Sequence, residues 1–504
     1  MKHLLAGLAA NPALPSELID RLIEVVDDDI ALSLTSRDDL SRAQAVALAA
    51  RDEDSAVPLA YGGRLTAADV DPARLPHAAL ALLDQGAGEP EWARLFAADP
   101  DVGRREKLAA CPGLPPDVTA RLAADPVVDV VVELALWTTE PDVAAALAAH
   151  PHAEVRRAAA ANEATPPAVL AALLSGEDLP PARRCLVCDR HGTPFVHDPH
   201  CPRLDCDLPP GASCDGSHAS ALHEMRRAAL TNPATPAEAV VGFAGHPSPL
   251  LRWALAAHPG LPPEAARRLV SDPLPGVRAD LAENPAIDEP LMRRLAEDED
   301  VDVRRGLALN PRVPLDVLVG LAGAARIGST LLPRIALASP EEVERLAASR
   351  DAAARMLVAQ RRDLPAGIRD ALADDPDAKV VKAVAPHPGL SEGRLRAMVE
   401  RHGVQVVTPV VLNPDVSAAL LEDLARHEPP VRKALREIAR HPRATAAALL
   451  ACLADERAKP LAAGHPALPP HVVTELLSDS HDAVAEAAAG NPSLPRAVMT
   501  ALAP

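Results

Sequence analysis

Residues 185–218 read CLVCDRHGTPFVHDPHCPRLDCDLPPGASCDGSH and hold five of the chain's seven cysteines. Cys185-x2-Cys188 and Cys201-x4-Cys206 are two thiolate pairs joined by a twelve-residue loop. A tetrahedral zinc ion takes four nitrogen or sulfur donors, and paired cysteine knuckles supply them. The expected ligands are therefore Cys185, Cys188, Cys201 and Cys206. The second spacing is looser than the usual two residues, so His191, His197 or His200 can replace one cysteine. Cys214 and His218 are reserve ligands. The segment has few apolar residues and no helical or strand period, so a hydrophobic core does not account for its folding. A bound metal would supply the missing folding energy. The bland alternative is a set of reduced surface thiols with no ligand. By residue type alone, zinc is the default metal.

The rest of the chain must position this segment, and its composition is unlike it. Over 504 residues the hydrophobic share is 48 % but the aromatic share only 1 %, so bulky aromatic packing is excluded. A core of Ala, Leu and Val suits thin layers of closely packed helices. Fifty-three prolines are about twice the ordinary share. The formal charge of −19 argues against nucleic-acid or anionic-membrane binding, although a local basic stripe on one face is compatible with it. The start, MKHLLAGLAANP, lacks the length and cleavage site of a signal peptide. No apolar run is long enough to span a bilayer. A soluble, cytoplasmic protein with no membrane partner is expected. In a reducing compartment clustered cysteines point to metal rather than disulfides.

The prolines are punctuation. HPGLPPEAARRLVSDPLPGVRADLAE from His258 and NPAIDEPLMRRLAEDEDVDVRRGLAL from Asn284 are two units of 26 residues. First positions of such units fall at Asn11, Arg37, Gly62, Gly86, Cys111, Trp137 and Asn162. They resume at Asn232, His258, Asn284, Asn310, Ala336, Arg361, His387, Asn413, His441, His465 and Asn491. Four places after each mark stands Pro or, at Ser41, Thr66, Asp288, Ser391, Ser417 and Thr445, a residue suited to a helix N-cap. Each unit reads as turn, helix, turn, helix; in the His258 unit the helices are expected at 262–271 and 276–283. Neither is long enough to be stable alone. Stacking on neighbours buries the apolar faces, which gives an all-α superhelical solenoid.

The step from Asn162 to Asn232 is 70 residues. Its first helix is expected at 166–175 and its second only at 221–230. The Cys/His segment is thus an insertion in the turn between two helices of one unit, and turns tolerate insertions. This divides the chain into N-terminal repeats at 1–178, a metal-binding insertion at 179–220 and C-terminal repeats at 221–504. Asp99 and Arg105, Asp272 and Arg278, and Asp298 and Arg304 share one offset, expected to be ion pairs joining turn to helix. The Asn or His at the first unit position can satisfy backbone groups of a proline-rich turn. Cys111 and Cys452 read as small packing residues, and His150 as structural.

Repeats such as NPALPSELIDRL at 11–22 and HPALPPHVVTELLSD at 465–479 resemble the leucine-rich repeat variant (LRV) family, and the Asp-to-Arg offset is similar to HEAT repeats. The resemblance covers almost everything outside the insertion, with 37–86 and 336–361 degenerate. It implies a right-handed superhelix of alternating α and 3₁₀ helices. Some members carry a four-cysteine [4Fe–4S] module beside their repeats, at the N-terminus rather than inside the array. Transferred here, it would use Cys185, Cys188, Cys201 and Cys206. CDGSH at 214–218 resembles the CDGSH iron–sulfur family, whose three cysteines and histidine bind a [2Fe–2S] cluster. That pattern needs a Cys-x-Cys pair where this chain has Arg203 and Asp205, and a proline where it has Ala212.

No nucleotide loop, Gly-x-Ser-x-Gly or His-Glu-x-x-His occurs. The function expected is a non-catalytic interaction scaffold binding a protein on a solenoid face, with a structural metal, zinc before [4Fe–4S]. The alternative is a redox or metal sensor whose cluster modulates binding. A third reading, an enzyme with an open metal site, would use Asp198, Asp205 or Glu224 as acid or base.

Overall fold

The computed structural model describes all residues except 1, 199, 202–207, 209–210 and 325–329. The protein is all-α. Among the described residues its only strands are a two-residue pair, Phe195–Val196 and Ser213–Cys214, inside the insertion. No described helix is long and apolar enough to cross a membrane.

Helix starts follow the punctuation. Pro15, Pro115, Pro166, Pro236, Pro262, Pro365, Pro469 and Pro495 are N-cap residues in extended conformation. A fixed φ and a missing N–H cost nothing there. Ser41, Asp288, Ser391, Ser417 and Thr445 each accept a hydrogen bond from a backbone N–H of the first helical turn. In the His258 unit the helices are Pro263–Leu269 and Pro275–Glu283. Both are α-helices, as are nearly all described second helices. Among the described residues the only 3₁₀ segments are Ala67–Asp69 and Val241–Gly245. The alternation with 3₁₀ helices implied by the LRV resemblance is not what this chain adopts. Its second helices are long enough, seven to ten residues in most units, to close α-type hydrogen bonds.

The chain divides into two compact units, one of Met1–Leu65 with Gly328–Pro504 and one of Thr66–Ile327. In the second unit, consecutive second helices stack in a row from Pro76–Asp84 through Val102–Ala109, Val128–Trp137 and Ala153–Ala161 to Ala219–Thr231, Pro249–Ala256, Pro275–Glu283 and Val301–Leu309. Their buried side chains are almost all Ala, Leu and Val; among the described residues Phe96, on the first helix Pro90–Phe96, is the one fully buried Phe, Tyr or Trp. Small residues permit backbone contact. A Cβ on Gly306 would stand 2.5 Å from the Ala279 carbonyl oxygen of the preceding second helix.

Two polar ladders join layers. Asn284 Nδ2 donates to the Ala256 and His258 carbonyls of the preceding turn, both at 2.8 Å, and its Oδ1 accepts the Ala286 N–H at 2.9 Å. Asn162, Asn310, Asn413 and Asn491 repeat the pattern, and all are buried. Arg37 and Arg361, at the same unit position, reach the same kind of carbonyls with a guanidinium. The row satisfies turn carbonyls that stacking would otherwise strip of water.

The second ladder corrects the Asp–Arg pairing. Arg278 donates to the backbone carbonyl of Asp272, six residues back, not to its carboxylate, and forms its bidentate ion pair with Asp298 of the next unit, at 2.7 and 3.0 Å. Arg105 with Asp125, Arg252 with Asp272 and Arg355 with Asp375 do the same. Asp272 and Asp375 are buried, Asp125 and Asp298 half-buried, and they also cap the turn; Asp272 accepts the Leu274 N–H. The arginine reaches one layer on because its own turn carbonyl already holds one edge of the guanidinium.

In the first unit the row of second helices runs from Asp482–Ala489 directly onto Lys2–Ala10, then to Asp28–Thr35 and Glu53–Tyr61. The helix Arg496–Leu502 opens a repeat, and Lys2–Ala10 stands where its second helix belongs. Asn11 Nδ2 donates to the Ala489 and Asn491 carbonyls at 3.0 and 2.7 Å, the pattern of every other ladder asparagine. Gly7 occupies the register of Gly306, and a Cβ there would collide with the Glu486 carbonyl. Arg21 donates to the carbonyls of Ala503 and Pro504, and Arg496 pairs with Glu17.

Candidate metal centre

The insertion leaves the array after Pro167–Ser175 and rejoins it at Ala219–Thr231. The array closes across it. Asn232 Nδ2 donates to the Ala160 and Asn162 carbonyls, both at 2.9 Å, although 70 residues separate it from Asn162. The arginine ladder is interrupted there. Twenty residues beyond Arg156 stands Gly176, and beyond Arg226 stands His246. Arg156 is buried, bonds only backbone carbonyls and has no carboxylate partner, and Arg226 Nε is buried without a partner.

Within the insertion, Leu186–His191 is a short helix that follows Cys185 directly. The Cys185 N–H donates to Cys188 Sγ at 3.1 Å. The strand Phe195–Val196 pairs antiparallel with Ser213–Cys214, Phe195 opposite Cys214, and carries Cys214 back beside that helix. A tight turn follows. Gly216 has φ 98°, its N–H donates to Cys214 Sγ at 3.4 Å, and the Asp215 carboxylate accepts the Ser217 N–H at 2.9 Å. His218 adopts the left-handed conformation, φ 58°, just before Ala219–Thr231. A non-glycine residue held there stores strain that its surroundings must impose.

The result is a compact donor group. Cys185, Cys188 and Cys214 Sγ and one ring nitrogen of His218 all lie within 4.8 Å of one another. Cys185 Sγ and Cys188 Sγ are 3.7 Å apart; His218 Nδ1 is 3.5 Å from Cys214 Sγ and 3.9 Å from Cys188 Sγ. These thiols form no disulfide with one another, and Cys185, Cys214 and His218 are buried. Burial, with Cys188 and Cys214 adjoining, pushes the Cys185 thiol up to about 12. A thiolate at this place needs a cation beside it. A Cys3His group of this kind could hold a metal ion.

Little else holds the segment. Its apolar cluster consists of Cys185, Val187, Leu208, Ala212 and Cys214 against Ala153 of the array, with Phe195 partly buried. Polar contacts fasten it to the array. The Ala153 N–H donates to the Arg184 carbonyl at 2.9 Å, and the Arg183 N–H to the Pro151 carbonyl at 2.8 Å. Asp189, next to Cys188, sits 3.1 Å from His152 Nε2 and 2.9 Å from Arg184 Nε.

Of the four ligands read from spacing, Cys185 and Cys188 stand in this group. Cys201 is described and is not a member, and Cys206 lies outside the described residues. The two reserve ligands, Cys214 and His218, complete it. His191 stacks on Phe195 at 4.3 Å; His197 is buried, with its N–H on the Ala212 carbonyl; the His200 side chain is 95 % exposed. None of these histidines joins the group. Among the acids, Asp198 is exposed and accepts the His200 N–H, Glu224 pairs with Arg227, and Asp205 lies outside the described residues. The signal for the last two ligands was Cys-x3-His around a glycine, a turn that brings both side chains to one side.

No protein-family model matches the chain, and no curated protein gives a significant match to it.

Proposed function

We propose that the protein is a non-catalytic interaction scaffold of LRV/HEAT-like repeats, whose insertion is folded by a single zinc ion held by Cys185, Cys188, Cys214 and His218. The carrying observation is the size of the donor group. An ion about 2.3 Å from sulfur and about 2.0–2.1 Å from nitrogen, with tetrahedral angles, sets two thiolates about 3.8 Å apart and thiolate and imidazole about 3.6 Å apart. The distances of 3.5 to 3.9 Å fit one ion. A [2Fe–2S] or [4Fe–4S] cluster spreads its ligands over two or four irons, wider than this group. Four protein donors close a structural site and leave no position for substrate, which favours a scaffold over an enzyme. Stacked repeats offer the extended surface that protein partners use. Three reduced thiols suit a cytoplasmic protein.

The test is elemental analysis of the anaerobically purified protein together with its Cys214→Ser and Cys201→Ser variants. About one zinc per chain, no sulfide, loss of metal in Cys214→Ser and retention in Cys201→Ser are expected. Iron with acid-labile sulfide would instead favour the redox-sensing reading. Partners captured by the wild type and lost by Cys214→Ser would place binding next to the insertion; partners kept by both would place it on the repeats.

A further inference from the structure

The strongest unexplained chemistry outside the insertion is a basic cleft in the first unit. From Arg426 to Arg443 the chain carries six cations, Arg426, Arg432, Lys433, Arg436, Arg440 and Arg443, against Glu428 and Glu437, in a protein of net charge −19. Elsewhere arginines are typically paired with acids, in the ladder and on exposed helix faces such as Arg94 with Asp117 and Arg293 with Asp316. Among the described residues no carboxylate lies within ion-pair distance of Arg432, Arg436 or Arg457, and the three together line a cavity of 740 Å³.

The cavity has a structural cause. The second helix of the His441 unit is cut to five residues, Lys459–Ala463, and residues 454–458 run as turns. This leaves a gap beside the start of the preceding second helix, Arg432–Arg440. In five other units an aspartate caps that start, Asp27, Asp101, Asp300, Asp351 and Asp377 each accepting a first-turn N–H, whereas at Leu75, Val127, Leu274 and Gly403 no side chain caps it. Here the cap position is Val431 and no side chain caps the helix. This positive helix end has no side-chain cap, and Arg432, Arg436 and Arg457 line the cleft beside it. Two acids share the cleft. Asp455 is engaged by the N–H groups of Arg457 and Ala458, and Glu456 is exposed at the rim.

We propose that this cleft binds the oxyanion of a small phosphorylated molecule. Its phosphate is held by Arg432 and Arg436 from one helix and Arg457 from the next turn, with Pro430 and Leu435 against the organic part. Guanidinium forks match phosphate geometry, and the volume lies within the range of small-molecule sites. Calorimetric titration of the full chain with ADP tests it, with adenosine as the control at matched ionic strength. ADP binds saturably and adenosine does not. Arg432→Gln with Arg436→Gln weakens ADP at least about tenfold, since charge-assisted hydrogen bonds are lost. Arg457→Gln, on a different element, weakens it too, so loss by misfolding of one helix is separated from loss of the site. Circular dichroism melting verifies that each variant is folded. Absence of saturable ADP binding, or affinity unmoved in both folded variants, overturns the proposal.

Discussion

The array and the insertion solve the same problem, a shortage of large apolar side chains, in opposite ways. The array distributes the work over many near-identical layers, many with an asparagine or arginine on the previous turn and several with an arginine reaching the next. The insertion concentrates it in four side chains around one point, with a thin apolar cluster beside them. Distributed support degrades gradually, layer by layer, whereas a metal-held segment is folded or not.

The comparison breaks most visibly at the seam between chain ends. Deleting residues 2–10 removes the second helix of the repeat opened by Arg496–Leu502 and uncovers Ala485, Ala488, Ala489 and Met499. The denaturation midpoint of the first unit should fall by the equivalent of several kcal/mol, since Leu8 and its neighbours are fully buried. Gly7→Val should cost about 1–3 kcal/mol by overpacking against Glu486. An unchanged urea midpoint in both would mean the seam contributes nothing.

One rung of the asparagine ladder comes next. Asn284→Ala strands the buried carbonyls of Ala256 and His258 and should cost about 2–3 kcal/mol in urea denaturation. A value near zero would show water entering between layers.

The histidine rungs sharpen the same point with pH. His387 is 1 % exposed, neither ring nitrogen has a partner, and burial pushes it down to about 4. The folded protein thus favours the neutral ring, while the unfolded chain takes a proton near pH 6.5. The stability tied to this residue is complete above about pH 6.5 and is lost as pH falls towards 4. His387→Asn places the array's usual donor under the Ala359 and Arg361 carbonyls. It should add about 1 kcal/mol and flatten the decline between pH 6.5 and 4. A decline just as steep in the variant would assign it to other groups.

Metal removal should have the smallest effect on the array. Chelation should abolish hydrogen-exchange protection in residues 183–198 and 211–218 and leave the asparagine-bonded layers protected. Asn232 still reaches Asn162 directly, so the two flanking repeats meet without the insertion. Melting of the whole second unit on chelation would make the insertion a keystone instead.

Much of this was legible because short-range rules dominate repeats. Helix starts at Pro15, Pro262 or Ser391 and the unit marks follow from fixed φ, capping chemistry and periodicity, all local along the chain. The ligands were partly legible. Cys185 and Cys188 are neighbours in sequence, but the two-strand pairing of Phe195 with Cys214 selects the second half of the group.

By itself, then, the sequence determined an all-α repeat chain interrupted once by a Cys/His segment, because periodicity, proline placement and composition act within a few residues. Only the tertiary structure decided which partner each polar group meets. Arg278 takes the carboxylate one layer on, Asn11 meets Ala489 across the chain ends, and His218 joins three cysteines. Such partners are chosen by how layers stack and how a hairpin folds back, which no local rule encodes.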